Sequence, residues 1–231
     1  MAGLLALVGS GEYLESMRDL EAHLLDGHPP RYVQLATAAH PDGPDRVAYW
    51  HDLGRQQAER LGVEQVVVPV GTREEATDPA NVALVRGAGL VYLSGGDPHY
   101  LAATLRGTPL AAAIYDEWRS GASLAGCSAG AMAMTSWIPS LRHPRQGATE
   151  GLGWLPHLRV IPHFDYFERY VPDAVTRFLA GPPGTTLLGI DEETALVGDG
   201  HAWTVWGRQR AWVITAADRT PAPAGTTLST P

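Results

Sequence analysis

The chain has 231 residues, 45% of them hydrophobic and 18% charged, which is enough to bury a sizeable core and excludes a disordered protein. Its 17 basic and 25 acidic side chains give a formal net charge of −8, which argues against nucleic acid or an anionic membrane as the main partner. The single cysteine, Cys127, excludes an internal disulfide, so nothing ties the fold to an oxidising compartment.

Met1-Ala2-Gly3 leads straight into Leu4-Leu5-Ala6-Leu7-Val8, with no basic segment before it and an apolar run too short for a signal or a membrane span. A cytoplasmic protein is expected. LLALV (4–8) reads as a buried strand ending at Gly9-Ser10-Gly11, and a helical pattern follows over 13–26. RYVQLATAA (31–39) is the second strand, followed by an amphipathic helix from Asp45 to Leu61. VEQVVVPV (63–70) is the third, with a helix over 79–87, and LVYLSGG (90–96) is the fourth, with helical sequence up to Ser120. ASLAGC (122–127) is the fifth. Strands that are apolar on both faces and alternate with helices predict a doubly wound, mostly parallel α/β sheet covered on both sides. Ligands of such sheets bind beyond the carboxyl ends of the strands, where Gly9–Gly11, Gly95-Gly96 and Ser128 all fall.

After residue 140 the pattern is more mixed. LRVIPHF (158–164) and TTLLGID (185–191) read as strands with a helix over 166–180 between them. TALVG (194–198), HAWTVWG (201–207) and RAWVITA (210–216) are spaced for β-hairpins, with Gly198-Asp199-Gly200 as one turn. There is no internal repeat, and Pro182-Pro183-Gly184 is a loop too short to be a linker. The expected organisation is one domain over residues 1–217 with a C-terminal hairpin region, and a tail over 218–231 that frays.

Gly126-Cys127-Ser128-Ala129-Gly130 fits G-x-S-x-G at a strand-to-helix junction, where a nucleophile elbow belongs. Small neighbours let such a turn form, and the Ala129 N–H becomes one oxyanion donor. A tight structural turn is the alternative. The elbow exposes its central residue, so Ser128 is the candidate nucleophile and Cys127 a small buried thiol. Among nine histidines, His163 ends an apolar run and is the candidate base. His99 is a second candidate, and His201 beside a turn reads as structural. None has HExxH or C-x-x-C company, so neither a metal nor another cofactor is expected. Glu192 and Glu150 both remain open as the acid that orients the histidine.

GCSAGA, SGGDP (94–98), PHF (162–164) and GIDEETAL (189–196) together resemble the serine peptidases that include aspartyl dipeptidase (peptidase E) and cyanophycinase. The resemblance spans roughly 90–196, and GSGE (9–12) fits the same layout. It implies a class I glutamine amidotransferase-like, flavodoxin-like sheet in which serine replaces the amidotransferase cysteine. It also implies Ser128 as nucleophile, His163 as general base, and backbone N–H groups near Gly96 and Ala129 as the oxyanion hole. GIDEETAL matches well and makes Glu192 the first choice of acid, with Glu150 the alternative because no acid stands at 141–143. Cyanophycinases carry Arg-Gly-Arg after the His-Phe pair, and here only Arg169 falls at an equivalent spacing.

The expectation is therefore a metal-independent serine hydrolase acting on a small peptide or isopeptide, with an aspartyl residue on the acyl side. Arg169 is the candidate cation for the aspartyl carboxylate and Asp97 the candidate acceptor for the free amine. A small peptide is the expected partner, with no nucleic acid and no membrane, and a homodimer is left open. Two rivals stand: an esterase of α/β-hydrolase type using the order Ser128–Glu150–His163, and a non-catalytic amidotransferase-like module binding a small anion at Gly95-Gly96.

Overall fold

The computed structural model describes residues 2–140, 147–170, 179, 184–215 and 218–231. The first half alternates as expected: β1 (Leu5–Val8), α1 (Arg18–Leu25), β2 (Arg31–Leu35), α2 (Pro44–Leu61), β3 (Glu64–Val67), α3 (Pro79–Leu84), β4 (Leu90–Leu93), α4 (Pro98–Leu105), α5 (Pro109–Arg119), β5 (Ser123–Cys127) and α6 (Ala129–Met134). Pro44, Pro79, Pro98 and Pro109 each open a helix, where a missing N–H costs nothing. The side chains of Asp78, Asp97 and Thr108 cap α3, α4 and α5. β2 is shorter than the expected run because Thr37–Asp42 winds into a 3-10 turn.

The second half contributes β6 (Trp137–Ile138), β7 (Thr149–Glu150), β8 (Leu158–Ile161), α7 (Phe164–Tyr170), β9 (Thr186–Ile190), β10 (Thr194–Gly198), β11 (Ala202–Gly207), β12 (Arg210–Ile214), β13 (Arg219–Pro223) and β14 (Thr227–Ser229). The expected helix over 166–180 begins two residues early, and its part beyond Tyr170 falls largely outside the described residues.

The main sheet has the order β14-β11-β10-β1-β5-β4-β2-β3. Its pairs from β1 to β3 are parallel, and those from β1 to β14 are antiparallel. Alternate side chains feed two cores. Leu5, Leu7, Leu35, Leu93 and Leu124 join the core under α4, α5 and α6, whereas Ala6, Val8, Tyr32, Tyr92 and Ala125 join the one under α1 and α2. Burial on both faces is what the near-continuous apolar runs encode.

LRVIPHF and TTLLGID are strands, as expected. They form β8 and β9 of a second sheet, ordered β13-β12-β9-β8, whose inner side chains Leu158, Val160, Leu188 and Ile190 join the larger core. β10 and β11 make the expected hairpin, but RAWVITA does not continue it: Gly207, at φ 102, turns the chain into the second sheet, where β12 pairs with β9. Finally, the tail over 218–231 is not a frayed end. β13 completes the second sheet and β14 the main one, and Trp203 Nε1 donates to the buried Thr230 hydroxyl.

One buried group gives the fold a pH dependence. Glu21 of α1 is fully buried, and burial raises its carboxyl from 4.5 to about 7 against the restraint of donors from Tyr32 Oη and Tyr13 N–H. A carboxyl raised in the folded state binds its proton more tightly there than in the unfolded chain. The contribution of this one group to stability is therefore full below about 4.5 and is lost as pH rises to about 7, by on the order of 3 kcal/mol. Glu21→Gln removes that decline, so urea unfolding at pH 5 and pH 8 should show the variant gaining on the wild type at pH 8. An unchanged pH dependence would locate the titration elsewhere.

Candidate active site

β5 lies between β1 and β4, and its carboxyl end runs directly into α6 through Ser128. Ser128 has φ 49 and ψ −103, a conformation that L residues with a Cβ rarely adopt. The turn is held by Ser128 N–H donating to Val8 O at 2.9 Å and Met132 N–H donating to Ser128 O at 3.1 Å. Both glycines of the pentapeptide are needed for close approach. A Cβ on Gly126 would lie 2.6 Å from the backbone of Gly130, and one on Gly130 would lie 2.3 Å from Leu93 O. A serine at a helix N-cap commonly caps with its hydroxyl, but that of Ser128 makes no capping bond.

It meets His163 instead, with Oγ 3.0 Å from Nε2. His163 follows β8, and Glu192 follows β9, the parallel neighbour of β8 with Ile161 opposite Gly189. That pairing brings the two loops together across 29 residues of sequence, and His163 Nδ1 lies 3.0 Å from Glu192 Oε1. A carboxylate only accepts, so Nδ1 donates to Glu192 and Nε2 is left to accept from the serine hydroxyl. His163 also has positive φ, 49. Its side chain is 41% exposed and that of Glu192 49%, so the row of groups opens to solvent.

Glu192 is itself held. Its N–H donates to Asp165 Oδ1 at 3.0 Å, and Gln209 Nε2 donates both to Asp165 Oδ2 and to the Glu192 carbonyl. Neither Asp165 nor Gln209 stood out in the sequence. The only local signal for Asp165 is an acid two residues after His163, in the first turn of α7.

The glycine loop after β4 adjoins the serine, since a Cβ on Gly95 would lie 3.7 Å from Ser128 Cβ. Among the described residues no protein acceptor takes the N–H of Gly96 or of Ala129. Gly96 has φ 140, and a Cβ there would strike Ala38 O.

The other candidates whose side chains are described make different contacts. Glu150, the alternative acid, sits in β7 and is bound to Arg106, the residue that follows α4, while the Nδ1 of His163 is already met by Glu192. His99 Nδ1 contacts Thr149 Oγ1 at 2.6 Å, and His201 stacks on His157 with its Nδ1 at the Pro231 carbonyl. Asp97 uses Oδ1 to cap α4, accepting from the His99 and Tyr100 N–H groups. Arg169 belongs to α7 by its backbone, and its side chain lies outside the described residues. Cys127 is buried, and burial foremost, then the neighbouring Glu12 charge, pushes its thiol well above the ordinary range. No helix among the described residues is long and apolar enough to cross a membrane.

The chain is similar to several known proteins. A cyanophycinase from Nostoc sp. (strain PCC 7120) is 30% identical over 154 residues, covering 63% of this chain and 51% of that protein. One from Synechococcus elongatus is 29% identical over 163 residues, covering 67% and 48%. The chain thus spans about half the length of the curated relatives it matches. The crystal structure of a peptidase from an acI-B1 Actinobacterium superposes with a TM-score of 0.90 at 44% identity, covering 99% of this chain and 97% of that one. A Listeria monocytogenes EGD-e protein described as a peptidase E shares the fold, with a TM-score of 0.60 at 16% identity over 97% of this chain and 100% of that one. The family model for Peptidase family S51 matches residues 4–206, nearly the whole α/β body with both loops of the second sheet, and the chain belongs to that family.

Proposed function

We propose that the protein is a serine peptidase that cleaves a small peptide or isopeptide bond through an acyl-enzyme on Ser128. The observation that carries this is the unbroken row Ser128 Oγ, His163 and Glu192, with 3.0 Å at each step, built on a strained elbow. His163 Nε2 takes the hydroxyl proton as Oγ attacks the carbonyl carbon. The oxyanion is received by the N–H groups of Gly96 and Ala129. The imidazolium, held by Glu192, then gives its proton to the leaving amine, and water repeats the sequence on the ester. Cyanophycinases among the relatives and the peptidase structure at 44% identity support this reaction class.

The esterase rival loses its acid, because Glu150 is engaged with Arg106, and its fold, because the chain belongs to another family. A fluorophosphonate probe tests the remaining rival: covalent labelling that disappears in Ser128→Ala supports the peptidase, and a folded protein that does not label is a binding module.

The finer reading is an aspartyl residue on the acyl side, with Arg169 gripping its carboxylate and Asp97 receiving the amine. Its support is the spacing of Arg169 after His163 and the place of Asp97 directly after Gly96. Asp-Leu should be cleaved in the presence of a chelator and Ala-Leu poorly. Arg169→Ala should lower kcat/KM for Asp-Leu by about 10- to 100-fold, the scale of a lost charged contact, with little change for a neutral ester. Equal rates on Asp-Leu and Ala-Leu would remove the aspartyl preference and leave the serine peptidase standing.

A further inference from the structure

Glu12 is a carboxylate at 5% exposure in the loop after β1, outside the row of reacting groups. Its two oxygens meet donors from two other strand ends. Gly95 N–H, after β4, donates to Oε1 at 2.8 Å, and the Cys127 thiol, at the end of β5, donates to Oε2 at 2.8 Å. Because β5 lies between β1 and β4, this one side chain reaches from the first strand across the second to the third. The next residue repeats the tie: Tyr13, with φ 65, places its hydroxyl 2.6 Å from Ser94 Oγ. Consecutive residues of the β1 loop thus fasten consecutive residues of the β4 loop.

The two donors that Glu12 holds are each one residue from an atom the reaction uses. Gly95 precedes Gly96, and Cys127 precedes Ser128. We infer that Glu12 is a positioning residue, whose carboxylate sets the distance between the Gly96 N–H and the Ser128 hydroxyl by clamping Gly95 and Cys127; the inference rests on the Ser128 reading above. Rate is sensitive to such spacing, since an oxyanion donor acts only when preset where charge develops. A carboxylate suits the clamp because both oxygens accept and both partners donate. The buried thiol is accounted for as well, since a protonated Cys127 is the donor that the second oxygen needs. An ordinary solvated loop acid would be exposed, and Glu12 is not.

The test is the second-order rate of fluorophosphonate labelling, measured on variants whose circular dichroism and melting confirm folding. Glu12→Gln keeps an acceptor for one partner but turns a donor toward the other. It should label about 10- to 100-fold more slowly, and hydrolysis should lose kcat by a similar factor with KM within about threefold. A purely structural role predicts full rate per folded molecule, so a folded Glu12→Gln that labels at the wild-type rate overturns the inference. If that variant does not fold, the cysteine decides. Cys127→Ala should label several-fold more slowly, with Cys127→Ser, which restores a donor, within about twofold of wild type. Equal rates for those two overturn the clamp. Wild-type labelling that survives Ser128→Ala would overturn the nucleophile and this inference together, an outcome distinct from both.

Discussion

Ser128→Ala should abolish fluorophosphonate labelling and lower hydrolysis by about 10⁴-fold or more, the usual cost of losing the nucleophile of a serine triad. The protein should stay folded, because the hydroxyl contacts His163 and caps nothing, and alanine has the same Cβ to hold at φ 49. Cys127→Ala should keep activity within about tenfold. Its thiol is fully buried and protonated at neutral pH, so it offers no thiolate to attack with, and its removal costs only a donor to Glu12. Purified variants compared by active-site labelling and by turnover of one peptide make the check. Retained activity in Ser128→Ala with loss in Cys127→Ala would transfer the nucleophile to sulfur.

The elbow was legible in the sequence because its determinants are local. A five-residue apolar strand, two glycines and a run of small helix formers state both the turn and the residue it presents. The contacts at Gly126 and Gly130 show why no larger residue would serve. The same holds for β1 to β5, whose two-sided burial appears as unbroken apolar runs. The acid was a different case. From the residues alone Glu150 and Glu192 stood level, and only the resemblance of GIDEETAL favoured the second. What separates them is the parallel pairing of β8 with β9, a contact between strands 28 residues apart in register, and nothing local announces it.

The second sheet escaped notice for the same reason. Spacing suggested that the strand over 210–216 would fold back on its predecessor. The partner it takes is instead β9, over which Trp212 Nε1 reaches the buried Asp191 carboxylate. Pro- and Thr-rich composition suggested fraying after Ala217, but edge strands tolerate proline, and β13 and β14 are both edges. Glu12 sat in the GSGE stretch that the resemblance included, but its role depends on Gly95 and Cys127, 83 and 115 residues away. Asp165 and Gln209 were likewise invisible, because their hydrogen bonds to Glu192 are made across 27 and 17 residues of sequence.

Glu192→Gln should lower kcat by about 10²-fold, with Glu150→Gln within about twofold of wild type. The amide can still accept from Nδ1–H, so His163 can keep its tautomer, but the imidazolium formed as Ser128 attacks loses its counter-charge. In a buried triad that loss approaches about 10⁴-fold. Here the histidine side chain is 41% and the glutamate 49% exposed, and water supplies part of the missing stabilisation, which places the effect lower. The support behind Glu192, from Asp165 and Gln209 through its backbone, survives the substitution and keeps the amide in place. Among the described residues the Glu150 carboxylate is paired with Arg106, both side chains are exposed, and an ion pair of that kind contributes little. Turnover and labelling rates of the two variants should therefore differ by more than tenfold. The reverse ranking would pass the acid's role to Glu150, and small equal effects would leave His163 to act without a carboxylate partner.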